Sequence, residues 1–276
     1  MSYEQYETSQ EQGQPIELYQ FIYGPTSASQ YLYTNAEEEV STGVGTFEPI
    51  AISRDNYHVA GKTDKNQINI RIPVKVEMSS LFTAYPPPQP VAVIIFQGHA
   101  NDPANQFVAV WNGRVLSTAK EGREQVLTCE STIVSLKRPG LRRNYQYGCP
   151  YVLYGPGCFA NKANATMQAQ VEDVVDGNLV LSADWYGEID PQLFVGGMIE
   201  WTSELGNESR TILRLTEENQ LVLLGPIRGL AAEDTINIVR GCDHKKSGCM
   251  SHENILNYGG QPWIPLKNPA KYHPFW

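Results

Sequence analysis

A mainly β protein with many short strands is the fold class this sequence predicts, on three observations. Ile68, Ile70, Ile72, Val74 and Val76 alternate with polar residues and Pro73, the period-two signature of a half-buried strand. Short apolar runs recur between Gly, Pro, Asp and Asn, and no long helical period appears. Fifteen tyrosines and five tryptophans are many for 276 residues; such residues suit sheets and protein–protein surfaces.

The elements follow in chain order. Residues 1–14 are polar and Gln/Glu-rich, which predicts a flexible tip. Pro73 marks the strand at 68–76 as an edge or a bulge. The Pro86–Pro90 run reads as a stiff loop inside one domain. Val91–Phe96 is continuously apolar, as in a buried strand. Phe107–Trp111 and Arg114–Leu116 flank Asn112-Gly113, a favoured hairpin turn. The stretch Phe159–Val171 is the best candidate for one short helix. Leu179–Leu181, Leu221–Leu224 and Thr235–Val239 read as further strands. The β pattern stops near Lys137-Arg138-Pro139-Gly140. The division expected is therefore a tip at 1–14, a β domain or domains at 15–136, and a cysteine-bearing domain at 137–276.

Charge and composition exclude several classes. The formal net charge is −9, which lacks the basic footprint that a phosphate backbone requires, so no nucleic-acid partner is expected. No window approaches the roughly eighteen apolar residues of a membrane-spanning helix. The N-terminal MSYEQYETSQEQGQPIE has neither the basic nor the apolar region of a secretory signal. A chain without an export signal matures in a reducing cytoplasm, where structural disulfides are rare.

The cysteines carry the sharpest pattern. Eight residues separate Cys149 from Cys158, and six separate Cys242 from Cys249. Each follows a glycine: Gly148, Gly157, Gly241 and Gly248. Glycine makes up 23 of 276 residues, so four matches in four exceed what composition gives. Glycine reaches φ > 0 and lets the backbone approach a bound group, and backbone N–H groups donate to the sulfurs of a metal cluster. Zinc knuckles bring ligands two to four residues apart, which these spacings do not match. Four thiolates on two separated loops suit a [4Fe–4S] cube, and Pro150 matches the Cys-Pro ending of bacterial ferredoxin runs. Such a cube is a net anion of about two charges. Lys137, Arg138, Arg142 and Arg143 before the first pair, and Lys245 and Lys246 inside the second, would offset that charge. A solvated basic loop is the plain alternative. On these residues alone the iron–sulfur site leads, with zinc, disulfides and unligated thiols left open. Cys129 reads as a small buried hydrophobe.

No catalytic set emerges, so the chain is read as non-enzymatic. His58 and His99 are isolated, and His244 inside the second loop reads as a surface residue or an outer ligand. His252-Glu253 lacks the second histidine of a zincin. Gly43-Val44-Gly45 lacks the third glycine of a dinucleotide loop, and Glu37–Glu39 reads as a solvated face.

With the cysteines placed, the sequence resembles the tail-tip hub proteins of long-tailed phages. That group includes the phage lambda tail tip protein L and the hubs of bacterial gene transfer agents. Both cysteine spacings of the family stand here unchanged, and GCDHKKSGC with the following NILNYGGQPWIP resembles its ending. FVGGMIEW resembles a β-element ahead of it. PIELYQFIYG, YLYTNAEEEV and FEPIAISRDNY resemble its N-terminal strands, and AVWNGRVLS the hairpin that closes its first half. The likeness spans residues 15 to 268. It departs at the polar N-terminus, at Tyr258 where a phenylalanine is common, and at the YHPFW end.

The resemblance implies barrel-like hub domains followed by a loop-rich iron–sulfur domain closed by an aromatic strap. Cys149, Cys158, Cys242 and Cys249 would ligate a [4Fe–4S] cluster acting as a staple. It also implies a homotrimer in the virion, assembled in the host cytoplasm, that adapts a six-fold tube to a three-fold tip. Its partners would be the distal tail ring, a peptidase-family tail protein, the tail tube, the tape measure protein and the central fibre or receptor-binding hub. A redox-active iron–sulfur protein or a zinc-stapled β-protein is the alternative.

Overall fold

The computed structural model describes residues 3–9, 11, 13–24, 30–56, 67–83, 85–137, 140, 145–203 and 206–265. The chain divides into two units, residues 1–138 and 139–276. Both are built from strands, as the alternating sequence requires.

The first unit is a nine-stranded sheet. Its strands are β1 (Pro15–Ile22), β2 (Gln30–Thr34), β3 (Val40–Ser41), β4 (Thr46–Pro49), β5 (Ser53–Arg54), β6 (Gln67–Pro73), β7 (Ala92–His99), β8 (Val108–Glu121) and β9 (Glu124–Ser131). They lie in the order β3-β4-β2-β1-β7-β8-β9-β6-β5. Ile68, Ile70 and Ile72 are buried as their period predicts. Pro73 ends β6, where its missing N–H costs no ladder bond. The Pro86–Pro90 loop joins two parts of this one unit. Within the N-terminal tip, Tyr3–Thr8 forms a helix, α1, whose Tyr6 is buried. Tyr6 donates to Asn101 O at 3.2 Å and stacks on His99.

The hairpin expected at Asn112-Gly113 is not there. Both residues lie inside β8, a single 14-residue strand. A Cβ on Gly113 would stand 2.1 Å from Glu130 O and 2.4 Å from the Trp111 ring. The glycine therefore serves a close strand approach rather than a turn. The chain reverses instead at Gly122, whose φ of 61° supplies the left-handed corner between β8 and β9.

The second unit holds a closed barrel of β10 (Thr166–Val175), β11 (Asn178–Leu181), β12 (Met198–Ser203), β13 (Gly206–Glu217), β14 (Gln220–Leu223) and β15 (Thr235–Val239). The order is β10-β11-β14-β13-β12-β15. Leu179, Phe194, Ile199, Ile212, Leu221 and Ile238 are fully buried in its core. The helix expected over Phe159–Val171 is replaced by a short 3-10 turn, Ala163–Ala165, and by β10. Ala169 and Val171 face inward and their neighbours outward, a period of two that tertiary pairing imposes on a weak helical pattern. Among the described residues the α-helix of this unit is α3 (Lys246–Ser251), which begins inside the second cysteine loop; α2 (Glu77–Ser80) belongs to the first unit.

Candidate metal–sulfur site

The barrel brings the cysteines together. β10 and β15 are antiparallel neighbours, with Thr166 opposite Val239. The first cysteine loop runs into the start of β10, and the second leaves the end of β15. Antiparallel pairing sets those two points side by side, so loops 84 positions apart in sequence, from Cys158 to Cys242, meet at one barrel end. Cys149, Cys158, Cys242 and Cys249 line a single pocket with Tyr151, His244, His252 and Asn254. None of the four is in a disulfide. Cys129 lies apart, fully buried in the first unit, and burial pushes its thiol up to about 12.

The thiols feel one another. Burial raises the Cys249 thiol, and the neighbouring Cys242, Cys149 and Cys158 sulfurs raise it further. Burial likewise raises Cys242; the His244 backbone N–H opposes this, while Asp243, Cys158 and Cys149 add to it. Cys242 and Cys249, whose ionisation is hindered in this way, are thiols that a cation would discharge, since a coordinated thiol is deprotonated outright. Among the described residues no three of His, Cys, Asp or Glu are arranged to hold a metal ion by themselves. What the site presents is a set of sulfurs around a shared space, with N–H groups directed at them. Asn254 Nδ2 lies 3.8 Å from Cys158 Sγ, and the His244 backbone N–H favours ionisation of the Cys242 thiol against its burial. Thiolates with N–H···S donors are the donor set that a [4Fe–4S] cluster takes, so the residues present fit that group.

The pre-cysteine glycines have a different cause from the one expected. None of the four has a positive φ. A Cβ on Gly241 would lie 2.0 Å from Val195 O and 2.6 Å from Gly197 N, and one on Gly248 would lie 2.2 Å from Asp243 Oδ1. On Gly157 it would meet the Tyr151 ring at 2.6 Å, whereas on Gly148 it would make ordinary contact at 3.5 Å with His244 O. Three of the glycines thus admit neighbouring protein atoms. Within residues 145–161 and 241–258 the left-handed residues are Tyr154, Phe159, His244 and Glu253, none a glycine, and such backbone costs roughly 1–3 kcal/mol each.

Of the expected basic residues, Lys245 lines the pocket. Lys246 is exposed at the start of α3. Arg138, Arg142, Arg143 and the Lys137 side chain lie outside the described residues, as does His58.

Sequence reasoning missed His252 and Asn254. His252 donates from Nε2 to Gly241 O at 2.8 Å and meets the Tyr154 ring edge-on. Tyr154 donates to Arg240 O at 2.5 Å. Asn254 is buried and donates to Cys158 O at 2.6 Å. Their signals were closeness in sequence to Cys249 and, for Asn254, its place at the head of NILNYGGQPWIP. The segment after Cys249 lies against the first loop: Tyr258 donates to Tyr147 O at 3.1 Å and Gln261 N to Gln146 O at 2.9 Å.

Comparison with known proteins follows this geometry. A family described as phage conserved hypothetical protein BR0599 matches residues 192–268, less than a third of the chain and including only the second cysteine pair. A chain from the virion of a native gene transfer agent particle superposes with a TM-score of 0.78 at 15% identity, covering 99% of this chain and 95% of that one. The two share a fold over nearly their whole lengths. No curated protein matches the sequence.

Proposed function

We propose that the chain is a structural component of a phage-type virion. It is the tail-tip hub that joins the tail tube and distal tail ring to a trimeric central fibre or receptor-binding hub. Cys149, Cys158, Cys242 and Cys249 hold a [4Fe–4S] cluster there as a staple. One observation carries this reading: four free thiols from two distant loops line one pocket, in a fold shared end to end with a gene transfer agent virion chain.

Surface chemistry supports an assembly role. Leu256 is 97% exposed and Trp263 89%, and Val152 and Phe159 also stand out from the cysteine loops. Exposed apolar side chains of this kind suit contact with another protein. When bound, the cluster supplies a cross-link between the two loops. This chain's residues supply the rest: His244 ties loop to loop, and Tyr154 and His252 hold the Arg240-Gly241 turn that delivers Cys242. Binding of such a group adds its free energy to folding.

Gold-labelled antibody against the protein, applied to intact particles, tests the role. Label at the tail tip is expected; label on the head or along the tube would overturn the hub reading. Particles built with Cys149→Ser or Cys242→Ser test the staple. Loss of infectious tails is expected, and full infectivity would overturn it.

A further inference from the structure

We infer that Asn254 is the positioning residue of the cysteine site: its side-chain amide fixes the first cysteine loop to the second and directs an N–H at the Cys158 sulfur. The inference rests on the cluster reading above and extends it to a residue outside the ligand set.

Asn254 touches both cysteine pairs. From its side chain, Nδ2 donates to Cys158 O at 2.6 Å and lies 3.8 Å from Cys158 Sγ. From its backbone, N donates to Cys249 O at 3.0 Å; its O also accepts from the protonated Cys249 thiol at 3.1 Å, a bond that ligation of the sulfur would remove. Residue 254 therefore links the last cysteine of one loop to the last cysteine of the other. Its amide is held in a single orientation. Asn257 Nδ2 donates to Asn254 Oδ1 at 2.6 Å, which leaves the Asn254 NH2 group facing Cys158. Asn254 is 8% exposed, so water does not compete freely for these bonds and their loss is felt in full.

An N–H aimed at a thiolate sulfur stabilises the more negative state of a cluster. It therefore moves the reduction potential upward, while the bond to Cys158 O holds the ligand in place. A residue that only filled space would do neither. Outer partners of metal ligands typically change retention by about 10–100-fold when removed.

The test uses the full chain, purified without oxygen, as wild type, Asn254→Asp and Asn257→Ala. Asn254→Asp keeps the shape but replaces the NH2 donors with a carboxylate and its negative charge; Asn257→Ala adds no charge, leaves Asn254 in place and removes only what orients it, so it separates the loss of the N–H from the effect of the charge. In loaded protein, Asn254→Asp is expected to lose iron to a chelator about 10-fold faster and to shift the midpoint potential to more negative values. Asn257→Ala shifts both the same way by less. In metal-free protein, amide hydrogen exchange over residues 155–159 is expected to quicken in both variants while that of the barrel strands stays the same. Unchanged exchange at 155–159, with unchanged iron loss and potential, overturns the inference. Should Asn254→Asp fail to fold, Asn257→Ala decides by the same readouts. Wild type that holds no iron overturns the cluster reading alone, and the exchange measurement then decides for Asn254.

Discussion

Cys149 and His244 hold each other twice. The Cys149 backbone N–H donates to His244 O at 2.8 Å, and the His244 ring donates from Nδ1 to Cys149 O at 3.1 Å. This pair joins the first residue of one cysteine loop to the middle of the other. His244 reaches it in a left-handed conformation, with φ of 55°, that an unconstrained histidine rarely adopts. The fold thus brings the two loops together through hydrogen bonds between protein atoms.

Gly241 and Gly148 both precede a cysteine, yet they should respond differently to alanine. Gly241→Ala drives a methyl group into the backbone of Val195 and Gly197 and should cost about 1–3 kcal/mol by overpacking. It should also weaken metal retention, because Cys242 is the next residue. Gly148→Ala meets only an ordinary contact at 3.5 Å and should change stability by less than about 0.5 kcal/mol. Urea melts of the two variants check this; equal costs would refute the packing explanation.

Glu208 carries the buried charge of the barrel. Its side chain is fully buried, Arg210 Nη1 stands 2.8 Å from one carboxylate oxygen, and Arg228 Nη2 stands 3.0 Å from the other. Arg210 also lies over the Trp201 ring. Glu208→Ala leaves buried guanidinium charge without its counter-ion and should destabilise the second unit by about 3–5 kcal/mol. A loss below about 1 kcal/mol in chemical denaturation would show that water reaches the arginines.

Asp102 gives the first unit an acid-sensitive contact. Backbone N–H groups of Ala104, at 2.9 Å, and of Gln106, at 3.0 Å, donate to its carboxylate. These two bonds, Ala104 first, hold its carboxyl below the usual range. A group whose folded value is depressed stabilises above its unfolded value, about 3.9 for aspartate, and loses that contribution as pH falls through the folded value. Stability of the first unit should therefore fall below about pH 4, and Asp102→Asn should flatten that part of the profile. An unchanged slope in thermal melts between about pH 4 and pH 2 would remove Asp102 as its source.

Much of the fold was legible because burial follows period. The isoleucines of β6 and the short runs of β11, β14 and β15 could be placed from alternation alone. Asn112-Gly113 misled because a local turn preference is worth less than the backbone contact that Gly113 permits inside β8. The stretch Phe159–Val171 misled because β10 takes its shape from pairing with β15, which no local window contains. At the site, the cysteine spacing singled out four residues that the structure gathers in one pocket. Asn254 and His252 could not be found that way. Their partners are a carbonyl and a sulfur of Cys158 in one case and the carbonyl of Gly241 in the other, and backbone acceptors leave no mark in sequence.

The central claim is that four cysteines hold one cluster, and its composition can be measured directly. Protein purified without oxygen should be brown, absorb broadly near about 400 nm, and contain about four iron and four acid-labile sulfide per chain. Each Cys→Ser variant should lose most of both. Colourless protein holding about one zinc per chain, or no metal at all, would contradict the account.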